Sequence, residues 1–252
     1  MEYKQLGKTE LMLSVVALGC WGLISDWNWG EQDKSDSIAT VHAALDAGIN
    51  FFDTAEAYGD GESEVILGQT LAGVRHEVVI ASKVSPDHLS AAEVRSACED
   101  SLRRLKTDYI DLYQTHWPDN DIPIEETLHA LDDLVRQGKV RYIGCSNYSA
   151  EKLVQSLQAA EQLGMPRYDT LQPHYNLVHR AEFEDQLAEI CQEYQIGVIP
   201  YSPLAAGFLT GKYRKESPIP PDSRGRTNRR IQGYFTEKNW KLLDEMERIG
   251  VE

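Results

Sequence analysis

The sequence predicts a barrel of parallel strands wrapped by helices, and three observations predict it. Seven short apolar runs alternate with longer helical patterns, the signature of repeated βα units around a parallel sheet. The 252 residues match the length that such a barrel takes as a single domain, here 1–252. Polar side chains stand just past the C-terminal ends of three runs, on the rim where barrels of this class carry their chemistry.

The strand runs are SVVALG near residue 16, INFFDT near 51, EVVIASK near 80, DYIDLYQTH near 112, VRYIGCSN near 143, DTLQP near 171 and IGVIPYS near 198. The first helix is expected from about Asp33 to Ala47, with Ile38, Val41 and Leu45 on one face and Gly48 as its stop. Ser90 and Glu93 form a capping box before the third, which carries Val94, Cys98 and Leu105 on its apolar stripe. The fourth carries Leu128, Leu131 and Val135 and stops at Gly138. The fifth starts at Ser149 with Leu153 and Leu157 inward, and Phe183, Leu187, Ile190 and Tyr194 mark the sixth. A Pro- and Arg-rich stretch, LTGKYRKESPIPPDSRGRTNRR, precedes a last amphipathic segment from about Thr236 to Ile249.

The formal net charge of −15 disfavours nucleic acid and an anionic membrane surface as partners. The N-terminus lacks the basic start and apolar run of a signal peptide, and no stretch approaches a membrane span of roughly 18 apolar residues. A cytoplasmic location is expected. Cys20, Cys98, Cys145 and Cys191 lie far apart with no C-x-x-C pair, which indicates reduced thiols rather than zinc ligands or disulfides. The histidines show no metal-binding spacing, and no G-x-S-x-G elbow appears. Gly59 and Gly61 begin a G-x-G pattern, but Glu64 stands where the third glycine belongs, so no Rossmann fingerprint is formed.

Asp53 and Tyr58 follow the second run, Lys83 ends the third and His116 ends the fourth. Each alone has a plain alternative: a helix cap for Asp53, a surface aromatic for Tyr58, a snorkelling chain for Lys83, a core histidine for His116. Their joint placement on adjacent strands points to a proton-donating site for a carbonyl. Hydride reduction of a carbonyl leaves a developing alkoxide, which needs a donor within hydrogen-bond reach. Tyr58 is the candidate donor. A phenol's pKa of about 10 is expected to fall beside a cation, which Lys83 supplies, with Asp53 keeping the amine protonated. A neutral His116 orients the carbonyl oxygen.

The segments NFFDTAEAYG, ASK, SLRRLKTDYIDLYQTHWPD and GCSN resemble the aldo-keto reductase superfamily, close to its bacterial reductases and potassium-channel β-subunit-like members. The resemblance implies that Asp53, Tyr58, Lys83 and His116 are the family's catalytic tetrad. It implies a (β/α)8 barrel of TIM type, of which seven strands are evident here and the last βα unit is missing. It also implies NADPH as hydride donor, and a small carbonyl substrate. Ser146, Asn147 and Gln172 match the family's contacts to the nicotinamide carboxamide, and Tyr201 the ring that stacks on the nicotinamide. YSPLAAGFLTGKY followed by IPPDSR is similar to the pyrophosphate clamp of the channel-like members, which assigns Ser202, Leu204, Gly207, Lys212 and Arg224 to the phosphates, with Gly211 permitting close backbone approach. Arg214, Arg226, Arg229 and Arg230 read as a solvated loop.

Trp21 and Trp117 are expected to line a substrate pocket, with Trp27 and Trp29 either beside them or structural. The competing function is a nucleotide-sensing regulatory or scaffold subunit with little turnover; retention of His116 favours catalysis, because the channel relatives do not keep histidine there. Family members continue past the last helix seen here with a further helix, an eighth strand and the helix that grips the adenosine 2′-phosphate. The expectation is therefore either much weaker NADPH binding than in members with the full C-terminus or a seam between the first and seventh strands covered by another chain, with little preference between NADPH and NADH.

Overall fold

The seven apolar runs lie side by side in chain order as one parallel sheet, in a computed structural model that describes residues 1–26, 29–221 and 223–251. The chain opens with an antiparallel hairpin, β1 (Tyr3–Gln5) and β2 (Met12–Ser14). β1 is exposed along its whole length, so no apolar run in the sequence announces the hairpin. The parallel strands follow as β3 (Leu18–Gly19), β4 (Phe51–Asp53), β5 (Val79–Val84), β6 (Ile110–Thr115), β7 (Val140–Ser146), β8 (Thr170–Gln172) and β9 (Gly197–Val198). The run SVVALG is divided: Ser14 ends β2 and only Leu18–Gly19 pairs with β4. The Asn50 side chain causes the division, accepting from the Ser14 N–H at 2.7 Å and donating to the Met12 carbonyl at 2.9 Å, which holds this stretch in the hairpin.

The helices are α1 (Lys34–Asp46), α2 (Glu62–Thr70), α3 (Ala91–Leu105), α4 (Ile124–Arg136), α5 (Ala150–Leu163), α6 (Ala188–Tyr194), α7 (Arg229–Gln232) and α8 (Glu237–Val251). Asp33 caps α1 by accepting from the Ser35 N–H, and Ser149 caps α5 by accepting from the Lys152 N–H. The buried face of α1 is Ser37, Val41 and Ala44, so Ile38 and Leu45 flank the contact instead of centring it. At α3 the Ser90 hydroxyl bonds the Glu93 carboxylate at 2.5 Å and makes no bond to the helix backbone. The expected sixth helix is split, since Phe183–Leu187 winds as a π-helix before α6. No helix among the described residues is long and apolar enough to cross a membrane.

The described residues fall into two units. The first contains Met1–Pro173 and Gln186–Ile199, and thus the whole sheet. Its strand interior begins in an apolar layer, where Phe51, Val79, Ala81 and Leu112 pack with Leu6, Leu11 and Leu13 of the hairpin, and Tyr142 and Ile199 adjoin them. The hairpin therefore stops the N-terminal end of the curled sheet. Gly7 makes the contact close: it sits at φ +54, and a Cβ there would lie 2.5 Å from the Gly197 nitrogen. The second unit contains His174–Asp185 and the residues from Pro200 onward, with its own core of Ala205, Phe208, Leu209, Tyr213, Ile231 and Leu243.

Candidate active site

Side chains alternate along a strand, so inward positions recur every second residue. Two residues beyond Phe51 on β4 stands Asp53; two beyond Ala81 on β5 stands Lys83. Apolar packing thus ends one step below a cluster of charge. Lys83 is fully buried, and its Nζ donates to Asp53 Oδ2 at 2.8 Å, to the Thr54 carbonyl at 2.7 Å and to the Tyr58 hydroxyl at 3.4 Å. The other carboxylate oxygen of Asp53 accepts from Gln172 Nε2 at 2.8 Å. The His116 ring meets Tyr58 edge to face at 5.7 Å. All four residues of the predicted constellation are together.

Burial by itself lowers the pKa of Lys83, but the charge of Asp53, the neighbouring phenol and the hydrogen bonds to both outweigh it and raise the value. The ammonium form is therefore held. For Tyr58 the balance runs against the expectation from sequence: burial raises its pKa, and the pull of Lys83 lowers it only in part. Removal from water weighs more here than one cation 3.4 Å away. His116 is held down to about 3, by burial first and by Lys83 second, so it stays neutral. Its backbone carbonyl accepts from Asn147 Nδ2 at 3.0 Å.

Ser146 and Asn147 close the next strand, and Asn147 takes φ +61 where the chain leaves the sheet. Ser146 Oγ donates to the Gln172 carbonyl at 2.9 Å and accepts from Asn147 Nδ2 at 3.0 Å. Ser146, Asn147 and Gln172 thus form one group, joined to the Lys83 cluster through Gln172 and Asp53. Trp21 stacks on Tyr58 with ring centroids 5.9 Å apart, and Trp29 meets Trp21 edge-on at 6.2 Å. Trp117 is exposed beside His116 in the chain, and Trp27 lies outside the described residues.

In the second unit, Tyr201 stacks on His174 at 5.1 Å, and His174 on His179 at 4.1 Å. The loop after it bends through positive φ at Ser202, Ala205, Ala206 and Gly207. Arg224 donates to the Ala206 carbonyl at 2.9 Å, and a Cβ on Gly207 would lie 3.0 Å from Lys212 Nζ. Gly207, Lys212 and Arg224 therefore converge on one turn; Leu204 is 54% exposed beside it. Of the basic residues read as solvated, Arg214 pairs with Glu247 at 3.1 Å. Among the described residues, no group of three or more His, Cys, Asp or Glu is placed to hold a metal ion.

The model of the aldo/keto reductase family matches residues 15–252. The chain belongs to that family. It is 41% identical over 260 residues to the aldo-keto reductase YhdN of Bacillus subtilis (strain 168), covering 99% of this chain and 76% of that protein. It is 33% identical to a probable voltage-gated potassium channel subunit beta of Oryza sativa subsp. japonica, covering 98% of this chain and 76% of that one. Its fold matches a crystal structure of an aldo/keto reductase from Klebsiella pneumoniae in complex with NADP and acetate, with a TM-score of 0.71, 35% identity and coverage of 82% of this chain and 69% of that one.

Within this family member, sequence reading missed the residues that act through the backbone or from behind β5. The Thr54 carbonyl is the nearest acceptor of Lys83, and a carbonyl leaves no mark in a sequence. Glu64, noted only for spoiling a glycine pattern, is buried: it accepts from Arg104 Nε at 2.6 Å and from the Ser82 hydroxyl at 2.5 Å. That pair pins α2 and α3 behind the strand that carries Lys83. His174, two residues beyond Gln172, was visible as a residue but carried no signal of its stack with Tyr201.

Proposed function

We propose that the chain reduces aldehydes or ketones to alcohols, with Tyr58 as proton donor and NADPH or NADH as cofactor. The observation that carries this is the buried Lys83 ammonium held between the Asp53 carboxylate and the Tyr58 hydroxyl. The residues present fit a nicotinamide dinucleotide. Ser146, Asn147 and Gln172 offer a hydroxyl and two amides, the donor set that suits a carboxamide. In the second unit by itself, Lys212 Nζ stands where a Cβ on Gly207 would intrude, a cationic cradle suited to a phosphate, and Ser202, Leu204 and Arg224 belong to the same proposal. When bound, the reduced nicotinamide supplies the hydride.

The chain's own residues do the rest. Tyr58 passes its proton to the oxygen on which negative charge develops, and the phenolate left behind faces the Lys83 ammonium. Asp53 keeps that ammonium charged and oriented, and Gln172 holds Asp53. His116, neutral because its pKa is held to about 3, donates a hydrogen bond to the carbonyl oxygen without competing as an acid. Trp21 covers one face of Tyr58 and lines the substrate side, with Trp117 exposed nearby in the chain.

Loss of NADPH absorbance with a panel of aldehydes and ketones tests this. Turnover is expected, and Tyr58→Phe should lower it roughly 100- to 10,000-fold while cofactor affinity changes little. Cofactor binding without turnover on any carbonyl would instead support a nucleotide-sensing subunit.

A further inference from the structure

We infer that Glu56 is a positioning residue that sets the distance between Tyr58 and Lys83 by standing in for a missing ladder bond between β4 and β5; this rests on the proton-donor reading of Tyr58. Parallel pairing of the two strands continues past the end of β4. The Thr54 N–H donates to the Ala81 carbonyl at 2.8 Å, and the Glu56 N–H donates to the Lys83 carbonyl at 3.3 Å. In a regular parallel ladder the next donor along β5, the Ser85 N–H, bonds the backbone carbonyl of residue 56. Here it bonds the Glu56 side chain instead, with Oε1 accepting at 2.6 Å.

That exchange frees the backbone to leave the sheet. The chain turns at once, with the Tyr58 N–H donating to the Ala55 carbonyl at 3.1 Å, and the turn carries the phenol back over Lys83. Lys83 is thereby gripped twice by one short segment: its side chain by the Thr54 carbonyl and the Tyr58 hydroxyl, its backbone carbonyl by the Glu56 N–H. Glu56 Oε1 also contacts His88 Nδ1 at 2.9 Å, and this hydrogen bond is the main cause of the raised pKa of His88. His88 is 45% exposed, so it steadies the carboxylate from the solvent side and is not the principal anchor.

The experiment compares four variants for kcat with NADPH and 4-nitrobenzaldehyde, for NADPH affinity by fluorescence, and for amide exchange in residues 84–89. Glu56→Ala should lower kcat about 10- to 100-fold, the cost of displacing a reacting group by the order of an ångström, with NADPH affinity unchanged and exchange at Ser85 accelerated. Glu56→Gln keeps an oxygen acceptor and should restore most of kcat and of the protection. Ser85→Pro deletes the donor at a residue whose φ of −68° already suits proline, and should reproduce the loss without touching Glu56. Tyr58→Phe separates the two readings: if it keeps full turnover, the donor role falls and the positioning role with it. If Tyr58→Phe is inactive while Glu56→Ala and Ser85→Pro both turn over within twofold of wild type, the donor role stands and the positioning role is overturned.

Discussion

The two ends of the same strands do opposite work. At the N-terminal end, Phe51, Val79 and Leu112 meet Leu6, Leu11 and Leu13 of the hairpin in an apolar layer. Further along β4 and β5, Lys83 is as enclosed and Asp53 nearly so, but they are held by charge and hydrogen bonds. Burial stabilises the first layer, because apolar surface leaves water. It penalises the second until every polar atom has a partner. A parallel strand can hold both because its inward positions follow one another along the strand, so apolar packing sits low and the charged cluster high without any change of fold.

Substitutions at the two ends should therefore fail differently. The largest effect is expected at the upper end. Lys83→Met leaves the Asp53 carboxylate without its cation, and should lower turnover about 100- to 1,000-fold and cost roughly 3–5 kcal/mol of stability. It should also raise the apparent pKa of the acidic group in the pH–rate profile, since the one nearby charge that pulls the Tyr58 pKa down is gone. An unchanged pH profile in a folded, active variant would break the proposed link between charge and donor.

At the lower end, Leu11→Ala opens a cavity in the apolar layer and should cost about 2–5 kcal/mol by urea unfolding. Its kcat, measured where the variant is fully folded, should match wild type; a fall of tenfold or more would show that the ends are not independent. Gly7→Ala forces an L side chain into φ +54 and against the Gly197 backbone. About 1–3 kcal/mol is expected from the backbone conformation alone, again with kcat kept.

A last effect concerns acid. The folded pKa of His116, about 3, lies below its ordinary 6.5, so the stability from keeping it neutral is full above pH 6.5 and lessens as pH falls toward 3. The imidazole resonances of His116 should not titrate between pH 5 and 8. His116→Gln should lose less stability than wild type between pH 6.5 and 4. A normal titration midpoint near 6.5 would show the upper end to be wetter than this geometry requires.

Much of this molecule was decided by the sequence itself. The seven strands were legible because runs such as EVVIASK and DYIDLYQTH are β-rich, short and bounded by turns, and the clustering of Asp53, Lys83 and His116 because they stand at the ends of such runs. The local code of Asp33 and Ser149 likewise set where α1 and α5 begin. Tertiary structure alone decided the rest. The hairpin that stops the curled sheet opens on a strand exposed along its whole length, which no apolar run marks, and its place depends on the Asn50 side chain 36 residues from Ser14. The direction of the Tyr58 shift depends on how much water burial removes, which composition does not encode. The partners of Lys83 and Glu56 include the Thr54 carbonyl and the Ser85 N–H, groups that every residue but proline carries alike, so only the fold could single them out.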